Sequence, residues 1–234
     1  MKTAIFTVSI GEEFSKLSAI SHPWMKDYAK KTGSDFIVCS EIGSCKFPHF
    51  QKFEIRKLFQ SGYDRVLFID TDILINPKAP NLFKIVPEDS MGIYDESKMK
   101  FLQSNNRLKI WTDAFIERYN EGLKEVGHPP ICAPNGWGKV YYNSGVMMCS
   151  KSLDIFDPPL FQLKSYGIHD QNYINLLICE KNIKVYPLSE SFNWRYLQGN
   201  QSKYSQFFVH FNGITNRVAK MKKLKDEIIG RGEK

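Results

Sequence analysis

The sequence predicts an α/β fold with a mixed, mostly parallel central sheet flanked by helices, and three observations predict it. The chain opens with a strand, a helix and a second strand at the spacing of a parallel unit (residues 4–8, 14–28 and 35–39). A wholly apolar run, Val66-Leu67-Phe68-Ile69, then ends on a carboxylate, Asp70, with no turn between. Its length and β-enrichment are those of a buried strand. Further β-like and helical segments follow to the end, with no internal repeat, low-complexity tract or clear linker.

Taken in order, Ala4-Ile5-Phe6-Thr7-Val8 is the first strand, stopped by Gly11. Phe14, Leu17, Ile20, Trp24 and Tyr28 recur at three- and four-residue steps, one face of a helix that Pro23 is expected to bend or divide. Residues 50–59 read as a helix presenting Lys52, Arg56 and Lys57 on a solvated face, stopped by Ser61-Gly62. After the central strand, Asn76-Pro77 marks a turn. Residues 91–94 predict a strand, 110–119 a helix and 128–136 a loop. Residues 140–148 are strand-like but broken by Asn143-Ser144-Gly145. His169-Asp170-Gln171-Asn172 begins a helix, with Asp170 as its N-cap and Tyr173, Leu176 and Leu177 as its buried face. Residues 185–188 and 207–211 supply late strands.

At 234 residues the chain is long enough for one sizeable core, and a hydrophobic content of 42% excludes extended disorder. Of the net charge of +7, +4 lies beyond residue 216, where seven basic residues face three acidic ones. The body is therefore only mildly basic, which argues against a nucleic-acid partner and suits attraction to phosphate or an anionic surface. The lysines between 220 and 225 read as a solvated helix face, with peripheral membrane contact as the alternative. Five cysteines, an odd number without a Cys-x-x-Cys pair, point to reduced thiols and a cytoplasmic setting. No apolar run approaches the ~20 residues of a membrane span. Residues 3–10 are followed at once by Glu12 and Glu13 with no small-residue cleavage site, so they read as a strand and not a signal peptide. The pattern fixes no oligomeric state.

The chemistry gathers around Asp70-Thr71-Asp72. Ligand sites in open α/β sheets lie at the carboxyl ends of strands. In extended backbone, residues two apart point the same way, so Asp70 and Asp72 are expected to face one point while Thr71 faces elsewhere. Two such acids, with only Arg65 as a nearby base, repel unless a cation sits between them, and a hard divalent metal is the economical explanation. A surface carboxylate pair would be the bland reading, but the apolar strand directly before it favours a site. His210, between Val209 and Phe211, is either a hydrogen-bonded core histidine or a third ligand whose nitrogen moves the preference from Mg²⁺ toward Mn²⁺. Gly213 lets backbone approach a phosphate closely. Asn143-Ser144-Gly145 is either a bulge or a set of partners for sugar hydroxyls. Lys52 or Arg56 reaching a phosphate is the alternative to a solvated helix face.

In this order, Tyr63 through Asp70-Thr71-Asp72, Asn143-Ser144-Gly145-Val146-Met147, Asp170-Gln171 with Ile174-Asn175, and His210-Phe211 with Gly213 resemble the nucleotide-sugar glycosyltransferases of the GT-A fold. The likeness is nearest to the glycogenin and family 8 type, with looser similarity to the yeast galactosyl/mannosyl group, and it runs over residues 3–216. It implies a single GT-A domain, 1–234. About 1–75 would form the nucleotide-binding half, about 76–213 the donor-sugar and acceptor half, and 214–234 a basic C-terminal helix or tail. It implies a UDP-sugar donor, Mn²⁺ (with Mg²⁺ as the alternative), and Asp70, Asp72 and His210 as metal ligands. Thr7 and Val8 with their backbone would hold the base and Phe14 pack on its ring. Lys52, Asp70 and Thr71 would meet the donor's phosphate or sugar, and Asn143, Ser144 and Gly145 its sugar. Asp170 and Gln171 would attend the reacting carbon, and Gly213 the diphosphate. The family usually carries Lys three residues after this Gly. Here that position is Asn216, and Arg217 or Lys220 would take over the phosphate.

Residue chemistry points the same way, since departure of a nucleoside diphosphate builds charge that a divalent metal and nearby cations stabilise. The expected function is transfer of a hexose-type sugar to an acceptor hydroxyl on a glycan or protein-linked glycan, with the retaining outcome that family 8 implies; an inverting enzyme would require a carboxylate base, for which Asp170 is the first candidate. A haloacid-dehalogenase-type phosphatase also places Asp-x-Asp after an apolar strand. Its motif, however, wants Thr or Val where Leu74 stands, and it usually opens the chain. A nucleotide-sugar-binding module with a dead centre is the non-enzymatic alternative.

Overall fold

The computed structural model describes residues 1–43, 45–161, 170–196 and 203–232. The first part runs β1 (Thr3–Val8), α1 (Glu12–Thr32), β2 (Asp35–Cys39), a 3₁₀ helix (Pro48–Glu54), α2 (Ile55–Gln60), β3 (Arg65–Ile69) and β4 (Ile73–Ile75). Then come α3 (Leu82–Ile85), β5 (Met91–Asp95), α4 (Lys100–Gln103), α5 (Arg107–Glu125) and β6 (Tyr142–Ser150). The chain finishes with α6 (Asp170–Glu180), β7 (Val185–Pro187), β8 (Trp194–Arg195), β9 (Phe208–His210) and α7 (Arg217–Gly232).

The main sheet has the order β2-β1-β3-β6-β5-β7. β1 is parallel to both its neighbours and β5 is parallel to β7, while β6 runs against β3 and β5. The strand period of two divides the core. Ala4, Phe6, Val66, Phe68, Met147 and Cys149 pack with the 3₁₀ helix, α2, α5 and α6 on one face. Ile5, Leu67, Ile69, Val146 and Met148 pack with α1 and α3 on the other. Every residue of β3 is buried, which explains its unbroken apolar sequence. Arg65 at its start is buried as well, its guanidinium donating to the carbonyls of Phe83 (2.7 Å) and Val86 (2.8 Å) beneath α3. It lies at the opposite end of β3 from Asp70 and does not neutralise it.

A small second sheet, β4-β9-β8, brings the end of the chain to the middle. β9 pairs antiparallel with β4, setting His210 opposite Ile73. Phe211 N–H donates to the Asp72 carbonyl at 3.0 Å. Leu74, Val209, Phe211, Leu17 and Ile20 form a third core, closed by Met221 and Leu224 of α7.

Several expectations change. Pro23 lies within a continuous α1, whose apolar residues are buried on both sides of it (Leu17 and Ile20 before, Met25 and Tyr28 after). The single helix expected over 50–59 is a 3₁₀ segment followed by α2, and Lys52 is buried, not solvated; Arg56 and Lys57 stay out, paired with Asp157 and Glu54. Asn143-Ser144-Gly145 does not end β6. The strand keeps pairing with β3, but against β5 the register jumps from Ile93–Met147 to Tyr94–Asn143, so 144–146 bulge. Asp170 is the first residue of α6, and its carboxylate turns to other side chains; His169 lies outside the described residues. The lysine-rich tail agrees with its reading as a helix with a solvated face, Lys222 and Lys223 lying outside while Met221 and Leu224 pack inward.

Candidate active site and metal centre

β3 carries Asp70 to the carboxyl edge of the main sheet, where its N–H donates to the Gly145 carbonyl (2.8 Å). The chain then turns, Ile73 N–H donating to the Asp70 carbonyl at 3.1 Å. Thr71 points inward. Its hydroxyl donates to the Val8 carbonyl (2.5 Å) and meets Thr7 Oγ1 at 3.1 Å, while its own carbonyl accepts from Ser21 Oγ at 2.7 Å. Anchoring Thr71 throws both aspartates toward the same space. They converge because of a turn, and not because of the extended backbone the sequence suggested.

The pairing of β4 with β9 supplies the third group. His210 Nε2 lies 3.2 Å from Asp72 Oδ1 and 3.7 Å from Asp70 Oδ2. Ligand atoms of all three residues fall within 4.8 Å of one another. Nε2 is buried and makes no hydrogen bond. Nδ1 is engaged by Asn193 Oδ1 at 2.8 Å. A buried, unpartnered nitrogen beside two carboxylate oxygens is costly as it stands, and a divalent cation satisfies all three atoms at once. Gly145 shapes the cradle, since a Cβ there would lie 2.9 Å from His210 Nδ1. The residues present fit a metal.

Lys52 forms the second half of the site. Its ammonium is ion-paired with Asp170, lies 3.7 Å from Asp70 Oδ1 and donates to Ser144 Oγ at 3.1 Å. Ser144 Oγ in turn donates to Asp170 Oδ2 at 3.0 Å. Burial pushes the Asp170 carboxyl up, but Lys52 and the Ser144 hydroxyl outweigh it and hold the group below the ordinary carboxylate range. Burial likewise works against the Lys52 ammonium, and Asp170 and Asp70 overcome it, leaving Lys52 above its usual value. Burial raises Asp70 against the pull of Lys52 and His210. For Asp72, burial is outweighed by His210 and Arg217, and the carboxyl is lowered.

These groups border one cleft of about 780 Å³ at the carboxyl ends of β1 and β3, within the size range of small-ligand sites. Val8 and Phe14 stand at one side, Asn143 and Gln171 at another, and Gly213 and Arg217 on the rim. Of the residues selected from sequence, Thr7 and Gly145 do not reach it, nor do the alternative phosphate partners Arg56 and Lys220. Thr7 is buried behind Thr71, and Gly145 behind the His210 ring. Arg217, the first residue of α7, donates to Asp72 Oδ2 (3.0 Å), is ion-paired with Glu13 and lies 5.7 Å from the Phe14 ring centre. Three further residues belong to the site. Glu96 is buried and accepts from Asn143 Nδ2 (3.0 Å) and Gln171 Nε2 (2.8 Å). Asn193 holds His210, and Arg195 donates to Asn212 Oδ1 at 3.0 Å. Glu96 directly follows β5, a strand-end signal like that of Asp70; Asn193 and Arg195 flank Trp194 with no pattern of their own.

Residues 44–216 match the sequence profile of glycosyl transferase family 8. No curated protein matches the chain. Among solved structures, a glycosyltransferase involved in glycosylation of the major capsid of PBCV-1 superposes with a TM-score of 0.60 at 13% identity, covering 97% of this chain and 100% of that one. The glycosyltransferase GlyE of Streptococcus pneumoniae TIGR4 follows at a TM-score of 0.53 and 12% identity, covering 99% of this chain and 63% of that one. The bifunctional glycosyltransferase WbbM matches at 0.51 and 14%, over 99% of this chain and 51% of that one. At such identities the likeness is one of fold.

Proposed function

The chain belongs to glycosyl transferase family 8 and is a glycosyltransferase of GT-A fold, and from that premise we propose that it moves a hexose-type sugar from a UDP-sugar to an acceptor hydroxyl. In this reading Asp70, Asp72 and His210 hold Mn²⁺, with Mg²⁺ as the alternative. The observation that carries it is the buried, unpartnered His210 Nε2 facing both aspartates, at 3.2 Å from Asp72 and 3.7 Å from Asp70. The metal, when bound, supplies positive charge to the leaving diphosphate.

The remaining work falls to side chains. Val8 and Phe14 form the apolar end suited to the base, and Gly213 the close backbone approach to phosphate. Arg217 sits where the family's lysine is missing. Its pairing with Asp72 and Glu13 neutralises the acids and places a guanidinium at the cleft, where it would meet the diphosphate. Asp170, held anionic by Lys52, is a weak base and suits stabilisation of positive charge growing at the sugar's reacting carbon. This role for Asp170 fits the retaining outcome that family 8 implies. Ser144 and Gln171 face the sugar. Residues 1–234 act as one unit, with the base side supplied by about 1–75 and the sugar side by about 76–213.

The test is UDP release from a panel of UDP-sugars, with Mn²⁺ and no added acceptor. Turnover with one sugar is expected, falling about a hundredfold or more in Asp72→Asn, the scale of removing one preorganised contact to developing charge. Binding of UDP without turnover of any sugar would leave only the inactive module, and an Asp72→Asn variant as active as the native chain would remove the metal assignment.

A further inference from the structure

We propose that Asn193, backed by Asn143, is a positioning residue that fixes His210 as its Nδ1–H tautomer and so keeps Nε2 as a lone-pair donor for the cation. The inference rests on the metal reading above but is carried by a separate chain of hydrogen bonds.

That chain starts at a group with one possible role. Gly145 N–H can only donate, and it lies 2.9 Å from Asn143 Oδ1. At the other end of the same amide, Asn143 Nδ2 lies 3.0 Å from the Glu96 carboxylate, which accepts. Flipping Asn143 would set its NH₂ against an N–H and its oxygen against a carboxylate, so its orientation is determined twice. Asn143 Oδ1 must then receive a donor from Asn193, whose Nδ2 stands 2.8 Å away. That leaves Asn193 Oδ1 toward His210 Nδ1 at 2.8 Å. An amide oxygen only accepts, so the ring nitrogen carries the proton. A neutral imidazole has a single N–H, and Nε2 is therefore a lone pair.

The consequence is local and physical. In the neutral ring a lone pair faces Asp72 Oδ1 at 3.2 Å, and either a second proton on Nε2 or a metal cation in its place makes the contact favourable. Asn143 is 3% exposed and Asn193 1%, so bulk water does not stand in for either amide. Both lone pairs of Asn143 Oδ1 are spent, on Gly145 and Asn193, which turns this residue toward the metal histidine as much as toward any sugar. The partner of a ligating histidine's second nitrogen sets its tautomer and ring direction.

Long-range proton–nitrogen NMR on the metal-free full chain reads which ring nitrogen carries a proton, with His210 identified by its loss in His210→Asn. The native chain is expected to show Nδ1–H. Asn193→Leu should lose that preference and bind Mn²⁺ about 10–100-fold more weakly, followed by the EPR signal of free Mn²⁺, with thermal melting as the check on folding. Asn193→Asp keeps an oxygen for Nδ1–H and should bind more tightly than Asn193→Leu. An Nε2–H tautomer in the native chain, native Mn²⁺ affinity in Asn193→Leu, or a folded Asn193→Asp as weak as the leucine variant would each overturn the proposal. The NMR experiment needs neither metal nor sugar donor. Nδ1–H in a chain that turns over no UDP-sugar would sink the transferase reading alone, and Nε2–H in an active enzyme would sink the tautomer lock alone.

Discussion

Replacing Lys52 by methionine removes a cation from between two carboxylates while keeping most of the apolar stem. The Lys52 side chain is 4% exposed and its partner Asp170 12%, so water offers the abandoned carboxylate little help. Breaking a buried pair from one side costs about 3–5 kcal/mol, because a buried charge is left uncompensated. For a chain of this size each kcal/mol moves the melting temperature by about 2–4 °C, so a fall of roughly 6–20 °C is expected. Thermal and urea unfolding with EDTA present measure it free of any metal contribution. The double variant Lys52→Met/Asp170→Asn removes the stranded charge and should recover part of the loss. The sign with pH is also fixed. In the native chain Asp170 is held low, against the push of burial, by Lys52. That stabilisation is full above the unfolded carboxylate value near ~3.9 and is lost as pH falls through the lower folded value. Without Lys52, burial alone raises the folded value of Asp170, so the variant gains relative stability as pH drops from neutrality. The gap between the two proteins should narrow on acidification. A variant melting within about a degree of the native chain, or a gap that widens in acid, would refute the reasoning.

Two further outcomes follow from single contacts. Gly145→Ala would place a Cβ 2.9 Å from His210 Nδ1 and 3.0 Å from Asn143 Oδ1. The ring must shift, so Mn²⁺ affinity by EPR titration should fall about tenfold or more with the fold intact, and unchanged affinity would show that the ring is not a ligand. Tyr28→Phe deletes a hydroxyl that donates to the Pro80 carbonyl (2.6 Å) and accepts from Leu82 N–H (3.0 Å). Stranding these backbone groups should cost about 1–3 kcal/mol in urea unfolding, and a midpoint indistinguishable from the native one would contradict the bond.

Much of the fold was legible because its elements bury whole faces. The apolar run before Asp70 could only be an interior strand, and it is buried along its length. The β1, α1 and β2 unit was readable from periodicity alone. Lys52 was misplaced for a physical reason. A lysine beside Arg56 and Lys57 looks like part of a solvated face, and only the approach of Asp170, over a hundred residues later, makes its burial tolerable. Glu96 offered only its place after a strand, and Asn193 no chemical signature at all, because their role depends on which amide each one meets.

The sequence by itself determined that a strand would end on a pair of carboxylates, which residue types could join them, and that helices would flank the sheet. Those properties belong to local pattern and composition. Only the tertiary structure decided that β9 would lie against β4 and set His210 beside Asp72, and that Thr71 would anchor the turn that aims both acids. Strand pairing across more than a hundred residues depends on how the whole core packs, and no local stretch encodes the orientation of a buried amide.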